Sequence, residues 1–185
     1  MGYTALQNPC QGVKGFKETE RSRYITDAEF EQVKAQAHFT VIDAMDLALL
    51  TGQRPADVLK LKRTDIRDGA LWIVQNKTRQ RLGVEVTGEL AAVIARISER
   101  PRRAISAWLI QDENGQPLTQ GVLRSRFDKA RTAAEVDFQF RDIRGKAATD
   151  TGNLAHSQKL LGHKNREMTE HYVKARLGER VKPLR

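Results

Sequence analysis

Residues 49–66, LLTGQRPADVLKLKRTDI, mark the point where the chain changes from helical to strand-forming sequence. Apolar residues at helical spacing lead up to Gly52, which is placed to end a helix because glycine readily adopts the left-handed conformation. Pro55 suits the first turn of the next helix, since its missing N–H would have no partner there. After Leu61 come short segments that are rich in aromatic and β-branched residues. This stretch therefore predicts an α+β fold that is mostly α-helical.

The flanking sequence predicts helices on both sides of a small β-hairpin. Thr26 and Glu29 form a capping-box pattern that begins a helix ending near residue 37. The helix that Pro55 opens is predicted over residues 56–61. The other predicted elements are helices over residues 39–50, 88–99, 119–134, 142–150, 154–161 and 166–174, and strands over residues 71–74, 82–86 and 107–110.

The composition indicates a chain that folds around a core and carries excess positive charge. Of its 185 residues, 39% are hydrophobic and 30% are charged, which excludes disordered, collagen-like and low-complexity classes. The 32 Lys and Arg against 23 Asp and Glu give a net charge of +9. Neutralising phosphates releases condensed counterions, so this charge favours a polyanionic partner without distinguishing DNA, RNA and an acidic membrane.

Several functional classes lack their sequence signals. No apolar stretch approaches the roughly 20 residues of a membrane span, and the first residues do not resemble a signal peptide. The single Cys10 cannot form an internal disulfide, so a reducing cytoplasm is the expected compartment. HExxH, GxxxxGK[ST] and GxGxxG are all absent from the sequence, and we therefore predict no metal and no cofactor.

Five polar residues stand near the ends of predicted elements, where side chains can converge on a ligand. They are Arg54, Lys77, Arg144, His163 and Tyr172. Metal-free cleavage of a phosphodiester needs permanent cations, which two arginines supply. A tyrosine nucleophile conserves the bond energy for rejoining, and a lysine can protonate the leaving oxygen. Each residue alone has an ordinary structural explanation, so the prediction depends on their combination.

The order of these residues resembles the catalytic domain of tyrosine recombinases, most closely that of phage-type integrases. The resemblance is carried by residues 49–66, 71–87 (LWIVQNKTRQRLGVEVT), 140–152 (FRDIRGKAATDTG) and 160–174 (LLGHKNREMTEHYVK). It implies the fold of that domain, with a small antiparallel hairpin or sheet on one edge.

The resemblance also implies a role for each of the five residues. Arg54 and Arg144 would bind the scissile phosphate, and Tyr172 would be the nucleophile. Lys77 would be the general acid, and His163 would bond the phosphate or assist proton transfer.

Two further positions complete the implied site. Asp57 matches the acidic position that supports the first arginine. Arg141 stands three residues before the second arginine, where the family usually has His or Lys. Arginine can donate to a phosphate oxygen but is a very poor proton carrier, so Arg141 is interpreted as an electrostatic contact.

The implied activity is site-specific recombination of duplex DNA through a 3′-phosphotyrosyl intermediate, without metal or ATP. Relaxation of supercoils in the manner of a type IB topoisomerase and a non-catalytic DNA-binding module are the alternatives. The implied partners are double-stranded DNA, further copies of the chain in a homotetramer that assembles from monomers on paired sites, and DNA-bending accessory proteins. The expected location is the cytoplasm of a bacterial host, on phage or chromosomal DNA.

The expected domain organisation has three parts. Residues 1–23 are expected to be a linker or arm from an N-terminal DNA-binding domain that this chain lacks, and residues 24–174 the catalytic domain. Residues 175–185 are expected to be a tail that docks on a neighbouring protomer. The side chains expected to contact DNA are Lys62, Arg63, Arg79, Arg124, Arg126, Lys129 and Arg131, with Gln120, Arg124 and Arg131 toward the major groove.

Overall fold

A computed structural model describes residues 11–12, 23–101 and 106–177, with the backbone alone at residues 171–172 and 174–177. The predicted N-terminal linker and C-terminal tail lie mostly outside these described residues. Within them, no helix is long and apolar enough to cross a bilayer.

The described residues form eight α-helices and one small antiparallel sheet. The helices are α1 Asp27–Ala35, α2 Phe39–Thr51, α3 Pro55–Val58, α4 Gly88–Glu99, α5 Gln120–Ala133, α6 Ile143–Asp150, α7 Leu154–Leu161 and α8 Arg166–Leu177. The strands are β1 Ile66–Arg67, β2 Ala70–Val74 and β3 Arg81–Glu85, and single 3₁₀ turns lie at Arg63–Asp65 and Phe140–Asp142. The predicted α+β class, mostly helical, is confirmed.

Helix α2 is central to the fold because it packs against α1, α3, α4, α5 and α6. Its two buried carboxylates, Asp43 and Asp46, accept hydrogen bonds from Arg96 of α4 at 3.0 and 2.8 Å, which offsets the cost of burying them. The helix ends at Gly52, whose φ of 64° is left-handed as predicted. The turn at Gly52 brings the following residues to the candidate site.

The sheet has the order β1-β2-β3, with β2 in the middle. Leu71 and Ile73 of β2 face the core, whereas Trp72 and Val74 are exposed. Two of the three predicted strands are therefore present, as β2 and β3. The two-residue strand β1, which pairs Ile66 with Leu71, was not predicted because so short a segment has no readable alternation.

Three predicted elements differ from the structure. The third helix ends at Val58 and not at residue 61, because the chain then turns and the carbonyl oxygen of Leu61 accepts from the Leu109 N–H at 2.9 Å. The strand predicted over residues 107–110 is wrong, since only an isolated bridge joins Trp108 to Lys62. Helix α8 also runs three residues past its predicted end.

Lys146 of α6 connects that helix to the start of α1. Its buried ammonium contacts Asp27 and lies 2.8 Å from Asp150 Oδ2, and the Tyr24 hydroxyl donates to the same Asp150 carboxylate at 2.7 Å. Burial acts to lower the pKa of Lys146, but the two carboxylates outweigh it and raise that pKa. This cluster holds in place the helix that carries Arg144.

Candidate active site

Arg144 lies at the start of α6 and is only 3% exposed. Its guanidinium donates to the carbonyl oxygens of Gly52 and Leu161 and to His163 Nε2, the last two at 2.7 and 3.2 Å. These contacts join the end of α2 to the end of α7. The acceptors are neutral, so they hold the guanidinium in position without cancelling its charge.

His163 follows Gly162, the left-handed residue that ends α7. Its Nδ1 lies 3.0 Å from the hydroxyl of Thr169 on α8. Because arginine can only donate, His163 Nε2 accepts from Arg144 and the proton of the neutral ring lies on Nδ1. Burial, then the charges of Arg144 and Arg54, lower the pKa of His163 to about 4, so the ring is neutral at pH 7.

Arg54 is the N-cap residue of α3, in an extended conformation before Pro55. Its Nη1 is buried and has no hydrogen-bond partner among the described residues. Arg54 comes two residues after Gly52, whose carbonyl oxygen accepts from Arg144, and its charge contributes to the lowered pKa of His163. Arg54, Arg144 and His163 thus converge. The Nη1 group of Arg54 can donate a hydrogen bond to a bound anion.

Lys77 lies in the exposed turn at residues 76–78, which connects β2 to β3. The root of this hairpin is closed by backbone hydrogen bonds from Gln75 N–H to Gln80 O and from Arg79 N–H to Gln75 O, both 2.9 Å. Arg79 is exposed and has a positive φ of 56°. The hairpin therefore presents a cationic tip on a well-bonded base.

A pair of buried glutamines, which the sequence analysis did not identify, connects this base to the arginine site. Gln75 Nε2 donates to Gln53 Oε1 at 2.8 Å and to the Leu161 carbonyl oxygen at 2.9 Å. Gln53 Nε2 donates in turn to the carbonyl oxygens of Thr51 and Leu160. The alternation that buries residues 71 and 73 also turns residue 75 inward. This alternation was the sequence signal that could have predicted a buried Gln75.

Asp57 supports the hairpin rather than pairing with Arg54. Its buried carboxylate accepts from the Asn76 N–H at 2.7 Å and lies 3.4 Å from Lys60 Nζ. No ion pair joins it to Arg54 within the described part of the chain. Lys60 also donates to Asn76 Oδ1 and the Val74 carbonyl oxygen. Asp57 therefore connects α3, the helix that begins after Arg54, to Asn76, the residue before Lys77.

Tyr172 belongs to α8, three residues after Thr169. Its side chain lies outside the described part of the structure. The backbone places it on a helix that packs against α6 and α7, the two helices that carry Arg144 and lead to His163. Its role as nucleophile stays a prediction.

Arg141 is exposed on the 3₁₀ turn before α6. It lines an open cleft of about 550 Å³ between α5 and the start of α3, together with Pro55, Gln120, Arg124 and Arg131. In this cleft the residues predicted to face a major groove, Gln120, Arg124 and Arg131, lie beside Pro55, which follows Arg54. Three arginines, Arg124, Arg131 and Arg141, line this cleft.

Other predicted DNA contacts differ in how freely their charges are presented. Arg124 is 86% exposed and lies 3.7 Å from Asp128, whereas Arg131 forms closer ion pairs with Asp128 and Asp137 at 2.9 and 3.0 Å. Arg63 donates to Ser98 Oγ and the Ser106 carbonyl oxygen, Lys62 lies over the Trp108 ring, and Arg126 binds Glu113. Lys129 is exposed on α5. Phosphate contact by each of these residues stays a prediction.

Within the described part of the chain, no group of three or more His, Cys, Asp or Glu side chains is arranged to hold a metal ion.

Solved structures with the same fold come from lambda integrase. A lambda integrase(75–356) dimer bound to a COC′ core site matches with a TM-score of 0.79 and 25% identity, over 96% of this chain and 68% of that one. The lambda integrase catalytic core matches with a TM-score of 0.67 and 26% identity, over 77% of this chain and 92% of that one. The fold is thus that of a tyrosine recombinase catalytic domain.

A model of the phage integrase family matches residues 23–178, and the chain belongs to that family. The integrase of Escherichia phage HK022 is 30% identical over 190 residues, which cover 95% of this chain and 53% of the relative. The resemblance inferred from the sequence motifs is confirmed. The chain spans about half the length of this curated relative.

Proposed function

We propose that this chain is the catalytic part of a site-specific DNA recombinase that cleaves and rejoins duplex DNA through Tyr172. The observation that carries the proposal is the convergence of Arg54, Arg144 and His163 in one buried, cationic site. Membership of the phage integrase family supports the same reaction class.

In this proposal the scissile phosphate binds between the two arginines. Arg54 supplies the Nη1 donor that has no partner in the free site, and Arg144 presents a guanidinium already oriented by main-chain carbonyls. Both charges remain during the reaction, so they stabilise the negative charge that builds on the non-bridging oxygens. Arg141 adds a further cation at the edge of the site. The proposal needs neither metal nor ATP for charge stabilisation.

The Tyr172 oxygen attacks phosphorus, and the bond from phosphorus to the 5′ oxygen breaks. The tyrosine becomes joined to the 3′ phosphate, and Lys77 gives a proton to the departing 5′ oxygen. His163 is neutral, and its Nε2 lone pair accepts from Arg144 in the free site. When this Arg144 N–H turns to the phosphate, the lone pair is released and can accept the phenol proton. An incoming phosphodiester anion raises the pKa of His163 back toward its ordinary value, which makes it a better base when substrate is bound.

A covalent-trapping experiment tests the reaction. A nicked duplex library with a randomised core, in EDTA and without ATP, would be incubated with the chain and resolved under denaturing conditions. Wild type should form a covalent DNA adduct, and sequencing of the trapped DNA would identify the substrate. Tyr172→Phe should form none, whereas Tyr24→Phe, which loses only the hydroxyl bonded to Asp150, should retain it. Equal adduct from Tyr172→Phe would refute the nucleophile.

The proposed assembly is a monomer in solution that forms a homotetramer on paired DNA sites. The lambda integrase relative was solved as a dimer on its core site, which supports assembly on DNA. Light scattering of the chain with and without the trapped DNA sequence would test it. A constant mass in both conditions would contradict the proposal.

A further inference from the structure

We propose that Gln75 is a positioning residue that fixes the root of the β2–β3 hairpin against the arginine site, so that Lys77 reaches the leaving oxygen. This inference rests on the proposed function. It concerns how the general acid is held, and Gln75 itself touches no reacting atom.

Every hydrogen-bonding group of the Gln75 amide is directed at a different part of the site. Its Nε2 donates to Gln53, the residue before Arg54, and to the carbonyl oxygen of Leu161. Its Oε1 accepts from the Thr78 hydroxyl at 2.6 Å, within the hairpin turn. The side chain is only 1% exposed. One amide thus joins the hairpin turn to both loops of the arginine site.

Packing against Gly162 restricts the amide further. Gly162 has a φ of 63°, and a Cβ at this position would lie 3.0 Å from Gln75 Nε2 and 3.2 Å from its Oε1. The glycine before His163 therefore leaves the space that the Gln75 side chain occupies. The amide has little freedom to rotate away, since a buried amide that left these partners would lose hydrogen bonds that no solvent replaces.

A second anchor holds the other side of the hairpin root. Asp57 accepts from the Asn76 N–H, and Lys60 donates to the Val74 carbonyl oxygen and to Asn76 Oδ1. The residues on both sides of position 75 are therefore fixed to α3 and the segment after it. The turn that carries Lys77 begins at position 76, from a root attached on two faces.

Fixing the root matters because proton transfer requires a short, defined distance. A general acid must come within about 2.6–3.2 Å of the oxygen that it protonates, and a lysine side chain has four rotatable bonds that cannot ensure this alone. The rigid root limits where the tip of the hairpin can move. A loosened root would leave the phosphate contacts intact but deliver Lys77 to the leaving oxygen less often.

A leaving-group substitution separates this role from a general structural one. The trapped DNA sequence would be prepared with oxygen or with sulfur at the bridging 5′ position of the scissile phosphate. A thiol has a pKa of about 8.5, so sulfur departs as a thiolate and needs no general acid. Lys77→Ala should be slow on the oxygen substrate and nearly normal on the sulfur substrate, which calibrates the assay.

Gln75→Met removes the amide while keeping the size of the side chain. We expect adduct formation on the oxygen substrate to fall about 10- to 100-fold, part of the 10²–10⁴ that a general acid provides. On the sulfur substrate the rate should return to within about threefold of wild type, in line with an acid that is present but misplaced. Gln80→Met, in the same hairpin and contributing only its backbone carbonyl to this network, should match wild type on both.

Each outcome decides the inference. An equal loss on both substrates, or no loss on either, would overturn it. If Gln75→Met fails to fold by circular dichroism, Thr78→Val removes only the hydroxyl at the solvent side of the amide and should show a smaller loss with the same rescue by sulfur. If sulfur did not rescue Thr78→Val, the result would count against the inference. If wild type forms no adduct on either substrate, the proposed function itself fails, and this result is distinguishable.

Discussion

Gln75 and Arg144 donate to the same acceptor, the carbonyl oxygen of Leu161, at 2.9 and 2.7 Å. One donor comes from the end of a strand and the other from the start of a helix. The shared acceptor fixes their separation, so the hairpin and the buried guanidinium are held in one frame. Charge stabilisation and proton delivery, the two tasks of the proposed reaction, thus depend on a common main-chain group.

The two arginines should differ in their effect on stability. Arg144→Ala removes hydrogen bonds that join α2 to α7, and we expect the free energy of unfolding to fall by about 2 kcal/mol. Arg54→Ala removes a donor that has no partner, so unfolding should change by less than about 0.5 kcal/mol. Urea unfolding of both variants measures this difference.

Both arginine variants should nevertheless lose about 100-fold or more in adduct formation, since each removes a charge from the phosphate site. An Arg54→Ala variant as unstable as Arg144→Ala would indicate that Arg54 supports the fold instead.

The lowered pKa of His163 predicts a loss of stability in acid. Its pKa falls from 6.5 to about 4 in the folded protein, so protons bind the unfolded chain more readily. The stability that the neutral His163 ring contributes is therefore fully present above about pH 6.5, and it is lost as the pH falls from 6.5 toward 4. His163→Gln should lose less stability between pH 7 and pH 4.5 than wild type, by on the order of 2 kcal/mol.

Urea unfolding at the two pH values checks this expectation, and carboxylates that titrate in the same range cancel in the comparison with wild type. His156→Gln, on the exposed surface of α7, is the control and should show the wild-type loss. Equal losses in all three proteins would contradict the neutral state of His163.

Two glycines with nearly the same φ provide a matched pair. Gly152 and Gly162 have φ of 62° and 63°, but an added Cβ meets nothing within 4 Å at Gly152 and meets Gln75 at Gly162. Alanine at either position should cost about 1 kcal/mol for the left-handed backbone. Gly162→Ala should cost about 1 kcal/mol more by displacing the amide, as measured by urea unfolding.

Adduct formation distinguishes the same pair of variants. Gly152→Ala should retain the wild-type rate, and Gly162→Ala should be slower on the oxygen substrate. Identical stabilities for the two variants would show that the Gln75 amide can move without loss.

DNA affinity should respond differently to two charges on and near α5. Arg124 is exposed, so Arg124→Ala should weaken binding and reduce the slope of log affinity against log salt by about 1. Asp137→Asn removes one partner of Arg131 and should raise the affinity about two- to threefold.

Fluorescence anisotropy with a labelled duplex between 50 and 200 mM salt, a range of about fourfold, measures both effects. An unchanged salt slope for Arg124→Ala would remove it from the DNA interface. A lower affinity for Asp137→Asn would mean that the ion pair orders Arg131 for binding.

The fold was largely predictable from local signals. The capping box at Thr26 and the left-handed residues Gly52 and Gly162 gave correct helix ends, because these signals act over a few residues. The end of α3 was not predictable, since it depends on backbone pairing of Leu61 with Leu109, almost 50 positions along the chain.

Arg54, Arg144 and His163, three of the predicted site residues, lie together, but the hydrogen bonds that connect them to the fold were not predictable. The meeting of Arg54, Arg144 and His163 could be expected from the family resemblance alone, since no local pattern brings distant positions together. Asp57 lies in α3, three residues after Arg54, yet its carboxylate accepts from the Asn76 N–H. Such pairings are decided by tertiary packing, which composition and spacing do not encode.

A main-chain oxygen is carried by every amino acid, including proline. Substitution at codon 161 therefore changes the packing around the junction between hairpin and guanidinium without deleting the junction itself. Only a substitution of Gln75 or Arg144, or a change in the path of the backbone, would remove these two hydrogen bonds. Leu161 is fully buried, so the side chains that can replace it are apolar ones of similar volume, and with any of these the shared acceptor persists.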